Sequence, residues 1–214
     1  MDQNQFILQN LGVDTTKFGK IYSFVDFGNI NRWYDKDKTP FSDGRVIKDG
    51  QKVVVGIEKL GEFVELFSQK KLFYYGVDLK RKSSLHIKYL AEKIARFKVI
   101  SKPLQMIKHY VVDKDFFDEK RLPFNEDGNG KFICIPKCNF DVEIAVDAMR
   151  FSKYYDTIVL FSSDSDFITL LKQLKSEKKK VILFYSGHTS WQLKSCADLL
   201  VNGRQIRELI SFIK

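Results

Sequence analysis

The chain of 214 residues has only three cysteines, three histidines and two tryptophans, and no apolar run of 18 residues. Cys134, Cys138 and Cys196 are odd in number and follow no disulfide framework, so a reducing cytoplasm is expected. Cys134 and Cys138 stand four apart, but no second cysteine pair or His-x-His completes a zinc set. Buried or neutral thiols are the expectation there. His86 and His109 read as surface or packing residues. The missing apolar run excludes a membrane-spanning helix. The start "MDQNQFILQN" lacks the basic residues and apolar stretch of a signal peptide, so no membrane partner is expected. There is no G-x-S-x-G, no Walker A loop and no dinucleotide fingerprint. A phosphatase of the haloacid dehalogenase type needs D-x-D after its first strand, and "DFGNI" (26–30) lacks the second acid. No repeat or low-complexity linker divides the chain. One domain over 1–214 is expected, with its core at about 20–205 and irregular insertions at about 36–52 and 113–131.

Basic residues are plentiful. Lys and Arg number 36 against 27 Asp and Glu, a formal net charge of +9. That excess suits a polyanionic partner. The runs "LKRKSS" (79–84) and "KSEKKK" (175–180) taken singly read as solvated helix faces. With 44% hydrophobic residues the chain can bury a substantial core.

Apolar runs and periodicities alternate along the chain. Strands are expected at 21–25, "KLFYYGVDL", "PLQMIKHYVV", "KFICIP", "DTIVLFSS" and "KKVILFYS". Helices are expected from "VVVGIEKLGEFVELFSQ", from "SSLHIKYLAEKIARFKVI" with a serine at its start as cap, from "FDVEIAVDAMRFSKYY" and "DFITLLKQLKSE", from "SWQLKSCADLLV" leading into a short extended piece, and from "GRQIRELISFI". "NEDGNG" (125–130) reads as a turn, and the strands flanking the 113–136 region as a hairpin extension. Strands alternating with crossover-length helices specify an α/β fold, a three-layer α/β/α sandwich with a mostly parallel central sheet.

In this basic chain, acids stand where strands end. Asp26 closes the first strand, and Asp164 and Asp166 follow the strand before "SSDSDF". Ligands of open parallel sheets bind beyond the carboxyl ends of the strands. Ser186, Gly187 and His188 follow the next strand along the same edge, which puts His188 either at the substrate or in a plain loop. Asp141 begins a helix and can point into the same crevice. Asp147 lies six residues on, about 9 Å along and about 120° around that helix, and reads as a supporting group or a ligand of a second ion. Each acid alone suits a cap or a turn. Together they need positive charge, and Mg²⁺ or Mn²⁺ are the hard cations that such oxygens favour. Trp33 and Tyr34 either stack on a base at the crevice mouth or pack under the 36–52 loop. Trp191 reads as a core residue.

The stretches "VDFGNINRW", "NFDVEIAVDAM", "IVLFSSDSDFITLLKQLKSEKKKVILF" and "SWQLKSCADLLV" resemble the NYN domain family, its LabA-like branch, within the PIN-like nuclease superfamily. The resemblance implies a PIN-like fold and a metal-dependent ribonuclease acting on RNA. It implies Asp26, Asp141 and Asp164 as the core acids, with Asp166 beside them and Asp147 as a recurrent helix acid. It further implies Asn29 as support for Asp26, and Ser162, Ser163 and Lys137 as groups meeting substrate. A non-catalytic RNA-binding or regulatory protein that keeps the acidic pocket is the alternative, and a homo-oligomer is left open.

Overall fold

The computed structural model describes residues 2–110 and 125–214. The part of the expected insertion at 113–124 lies outside these residues. Along the chain come α1 (Gln3–Leu11), α2 (Thr15–Phe18), β1 (Ile21–Asp26), α3 (Phe27–Ile30), β2 (Val53–Val55), α4 (Ile57–Glu65), β3 (Lys70–Val77) and α5 (Lys82–Tyr89). After these come β4 (Lys98–Pro103), β5 (Gln105–Tyr110), β6 (Asn125–Asp127), β7 (Gly130–Lys137), α6 (Asp141–Phe151) and β8 (Thr157–Phe161). The chain continues with α7 (Ile168–Ser176), β9 (Lys180–Tyr185), α8 (Trp191–Lys194), β10 (Leu199–Asn202), α9 (Gly203–Ile210) and β11 (Ser211–Ile213).

Six parallel strands form the central sheet, in the order β10-β9-β8-β1-β3-β4. The inner strands are mostly apolar because both faces of the sheet are covered. Alternate side chains serve opposite faces. Val25, Val159, Phe161, Ile182 and Phe184 pack with Leu60 and Val64 of α4 and Ile206 and Ile210 of α9. Phe24, Leu72, Leu160 and Leu183 pack with Ile144 and Ala148 of α6 and Leu171 and Leu174 of α7. The result is the expected three-layer α/β/α sandwich of the PIN-like class.

The structure corrects four details. First, Val53–Val55 does not open the next helix, and Ser211–Ile213 does not end the last one. The two segments pair as the antiparallel strands β2 and β11, with Gly56 N donating to Ile210 O at 2.8 Å. Three β-branched valines favour this extended form. Second, the helix from Lys82 stops early. Arg96 takes a left-handed φ of 54°, and the chain leaves as β4.

Third, neither Ser83 nor Ser84 caps this helix, whose cap position is Arg81 with no side-chain bond; Ser84 serves elsewhere. Its hydroxyl accepts from the Asp78 amide at 2.9 Å and pairs with the Tyr75 hydroxyl at 2.8 Å. Fourth, "PLQMIKHYVV" is not the third sheet strand. That place belongs to β4, which ends at Pro103, a residue with no amide proton to extend the ladder. β5 turns away and joins β7 and β6 in a separate antiparallel sheet, which realises the expected hairpin extension.

Residues 37–52 carry no helix or strand, as expected. They are tied to α9 by the buried Arg207, which donates to Thr39 O at 2.5 Å and pairs with Asp37 at 2.7 Å. Burial works against the Asp37 carboxylate, but Thr39 and Arg207 outweigh it and leave its pKa lowered. Among the described residues no helix is long and apolar enough to cross a membrane.

Candidate active site

Strand β1 lies between β3 and β8, so the chain runs from β1 to one side of the sheet and later returns to the other. The order reverses between β1 and β8, where parallel sheets open a crevice at their carboxyl ends. Val25 is in register with Phe161, so Asp26 and Ser162 emerge side by side.

A chain of hydrogen bonds fixes this edge. The Ser162 hydroxyl donates to Asp26 Oδ2 at 3.0 Å and accepts from the Asp164 amide at 3.2 Å. Asp164 Oδ1 accepts from the Asp166 amide at 3.0 Å and caps the turn Ser165–Phe167. Its structural role as a cap and its place in the cluster therefore coexist. Asp141 enters from the first turn of α6, with its amide donating to Asn139 Oδ1 at 2.8 Å. Asp141, Asp164 and Asp166 each present one oxygen, and the three atoms lie within 4.8 Å of one another.

Asp26 stands behind this trio rather than among the gathered oxygens. Burial pushes its carboxyl up to about 6; the hydrogen bonds from Ser162 and Asn29 oppose the rise, and Asp141 and Asp164 add to it. Asp141 is also raised, by burial first and then by the charges of Asp164, Asp166 and Glu143, against the Asn139 hydrogen bond. Like charges held this close call for a cation. The donor set, all carboxylate oxygen, fits a hard divalent ion such as Mg²⁺ or Mn²⁺.

Asn29 joins this edge to a cavity. Its amide donates to Asp26 Oδ1 at 3.4 Å. Its Oδ1 accepts from Trp33 Nε1 at 3.0 Å and from the Ser163 amide at 3.1 Å. The Ser163 hydroxyl in turn exchanges hydrogen bonds with the backbone of Ser186, at 2.8 and 3.0 Å. The cavity, of about 350 Å³, is lined by Asn29, Arg32, Trp33, Ser163, Ser186 and Gly187.

The remaining expected residues are placed elsewhere. His188 is exposed after β9 and does not line the cavity. Lys137 lines a second cavity of about 350 Å³ with Lys102, Cys138 and Asn139. Asp147 is 7% exposed and faces the sheet. There it accepts from the Tyr74 hydroxyl at 2.9 Å and pairs with Arg150, which anchors α6 to β3. Burial, with Asp147 next, holds the Tyr74 phenol well above its usual range.

Tyr34 is buried and donates to Gly203 O at 2.7 Å, so of the two aromatics only Trp33 reaches the crevice. Trp191 is not a core residue but 76% exposed, because Ser190 caps α8 so that Leu193 points inward. Arg32 was not singled out by its sequence context. The i, i+4 spacing of Asn29 and Trp33 was the available signal for this wall. Cys134 and Cys138 are partly exposed and Cys196 is buried, all as free thiols.

A parallel α/β/α sandwich with acids gathered at its strand-order reversal is the architecture of PIN-like proteins. The NYN domain model matches residues 20–202, and the chain belongs to the NYN domain family. That family is nuclease-like and associated with RNA. The chain is 30% identical over 98 residues to the low amplitude and bright protein LabA of Synechococcus elongatus. That match covers 45% of this chain and 48% of LabA, about half of each. In fold the chain is similar to a Vibrio parahaemolyticus protein of unknown function, with a TM-score of 0.59 at 18% identity, over 91% of this chain and 97% of the other.

Proposed function

We propose that this chain is a divalent-metal-dependent endoribonuclease that hydrolyses RNA phosphodiester bonds at the acidic edge of its sheet, acting as one cytoplasmic domain. The observation that carries the reading is the meeting of Asp141, Asp164 and Asp166 oxygens within 4.8 Å at the strand-order reversal. The chain's net charge of +9 suits an RNA backbone, and membership of a nuclease-like family supports the same conclusion.

In this reading Asp141, Asp164 and Asp166 hold Mg²⁺ or Mn²⁺. When bound, such an ion supplies Lewis-acid polarisation of the phosphoryl group and eases deprotonation of a water. Asp26 acts through Ser162, whose hydroxyl it orients and which in turn holds the Asp164 amide. Asn29 and Ser163 brace the same loop. Arg32 and Lys137, each lining one of the two cavities, draw in the sugar-phosphate chain. Water attacks phosphorus in line, the phosphorus–O3′ bond breaks, and the ends left are a 5′-phosphate and a 3′-hydroxyl.

The test is cleavage of end-labelled single-stranded and hairpin RNA with Mg²⁺, Mn²⁺ or EDTA, by wild type and Asp164→Asn. Cutting that needs metal and is lost in the variant supports the reading. Cutting that survives the substitution refutes the role of Asp164. Tight RNA binding without cutting assigns the non-catalytic, regulatory role instead.

A further inference from the structure

We propose that the cavity between α3 and the loop after β9 is a subsite for one unpaired nucleotide, with its base against Trp33 and its phosphate on Arg32. The proposal rests on the RNA-directed reading above and adds to it a place for a base. The cavity holds about 350 Å³, at the small end of the range for ligand sites and suited to a single nucleotide. A paired, stacked base would not enter it. Unpaired bases, by contrast, are commonly taken up on aromatic rings beside a cation.

The wall is built before any ligand arrives. The Trp33 indole N–H is fixed to Asn29 Oδ1 at 3.0 Å. On its other side the ring lies against Gly203, where a Cβ would come within 2.9 Å of it. The ring thus has one orientation, so little ordering is needed when a base stacks on it. Arg32 is exposed next to it and brings a planar cation suited to phosphate.

The position of the cavity ties it to the chemistry. Asn29 Oδ1 also accepts from the Ser163 amide at 3.1 Å, so the cavity wall and the loop carrying Asp164 share one anchor. Ser163 lines the cavity and the next residue is a member of the carboxylate trio. A nucleotide seated against Trp33 therefore directs its neighbouring phosphodiester toward the acids. The subsite sets which bond is presented, and it favours single strands over duplex.

The two tryptophans separate cleanly for a test. Trp191 is 76% exposed, so Trp191→Phe leaves the core intact and Trp33 as the sole reporter. In EDTA, this protein is titrated with AMP, UMP, ribose 5-phosphate, inorganic phosphate and a single-stranded tetraribonucleotide. The expected result is a saturable change in Trp33 emission with the nucleotides and the tetramer, and none with the two base-free phosphates. Arg32→Ala, at an exposed position, should raise the nucleotide Kd about tenfold with unchanged folding. A flat response to both mononucleotide and tetramer, an equal response to inorganic phosphate, or an unchanged Kd in Arg32→Ala overturns the subsite. RNA cleavage by a protein whose Trp33 ignores nucleotides overturns the subsite alone. Nucleotide binding by a protein that cuts nothing removes the nuclease reading and leaves the subsite in place.

Discussion

Replacing Asp26 with Asn should stabilise the metal-free protein at neutral pH. The carboxyl is pushed from 3.8 up to about 6, chiefly by burial. At about 1.4 kcal/mol per pK unit, keeping it ionised at pH 7 costs the fold about 3 kcal/mol. The sign follows from linkage. The folded value is the higher one, so the folded chain binds the proton more tightly, and stability falls as pH rises from about 4 through about 6. Asn is nearly isosteric and carries no charge. Its Oδ1 can keep the Asn29 amide, and its NH₂ can donate to the Ser162 hydroxyl, which rotates to accept.

Urea unfolding in EDTA is the assay. Asp26→Asn should exceed wild type by up to about 3 kcal/mol at pH 7.5, and the gap should close toward pH 4. Excess Mg²⁺ should narrow the gap at pH 7.5, because positive charge at the trio favours the ionised Asp26. A variant that is less stable at pH 7.5, or a gap that does not change with pH, would refute the argument that burial and like charge set this carboxyl.

Other perturbations test the supports of the site. Tyr74→Phe removes the hydroxyl at 2.9 Å from the buried Asp147 and should cost about 1–3 kcal/mol by urea unfolding; an unchanged midpoint would deny Asp147 its anchoring role. Asp37→Ala leaves Arg207 buried with its ionic partner gone, for a loss of about 3 kcal/mol, and should expose residues 37–52 to limited proteolysis. Gly76→Ala would place a Cβ 2.6 Å from that of Cys138, three residues before Asp141. The overpacking should cost about 1–3 kcal/mol and weaken Mn²⁺ binding, read by calorimetric titration, although no carboxylate is removed.

The central strands and the acidic edge were legible in the sequence because each is written locally. β1, β8 and β9 are rich in apolar residues, and the rule that ligands gather at strand ends then put Asp26, Asp164 and Asp166 on one edge. What escaped depended on distant partners or on segments too short to show a period. β2 and β11 have three residues each and find one another from opposite parts of the chain. The duty of Asp147 is set by Tyr74, 73 residues away. In α8, four residues long, nothing local tells which side of the helix meets the core, so Trp191 was expected inside. The division of β4 from β5 was signalled by Pro103, but the sheet that each would join was not.

The three gathered carboxylates form a tripod whose legs stand on different ground. Asp164 and Asp166 stand in the turn directly after β8, at the end of the main frame. Asp141 is delivered by a chain that leaves the frame at Leu104, travels out along β5, and comes back through β7 to Asn139. That outrigger is clamped at its root by the Leu104 amide on Val77 O at 3.0 Å and by the ion pair of Lys102 with Glu143 at 2.5 Å. That clamp works together with the packing of α6 on the sheet and the Asp147–Tyr74 bond, which hold the first turn of α6, and Asp141 with it, against the frame. The antiparallel sheet thus joins the tripod at one leg only, through the few residues between β7 and α6.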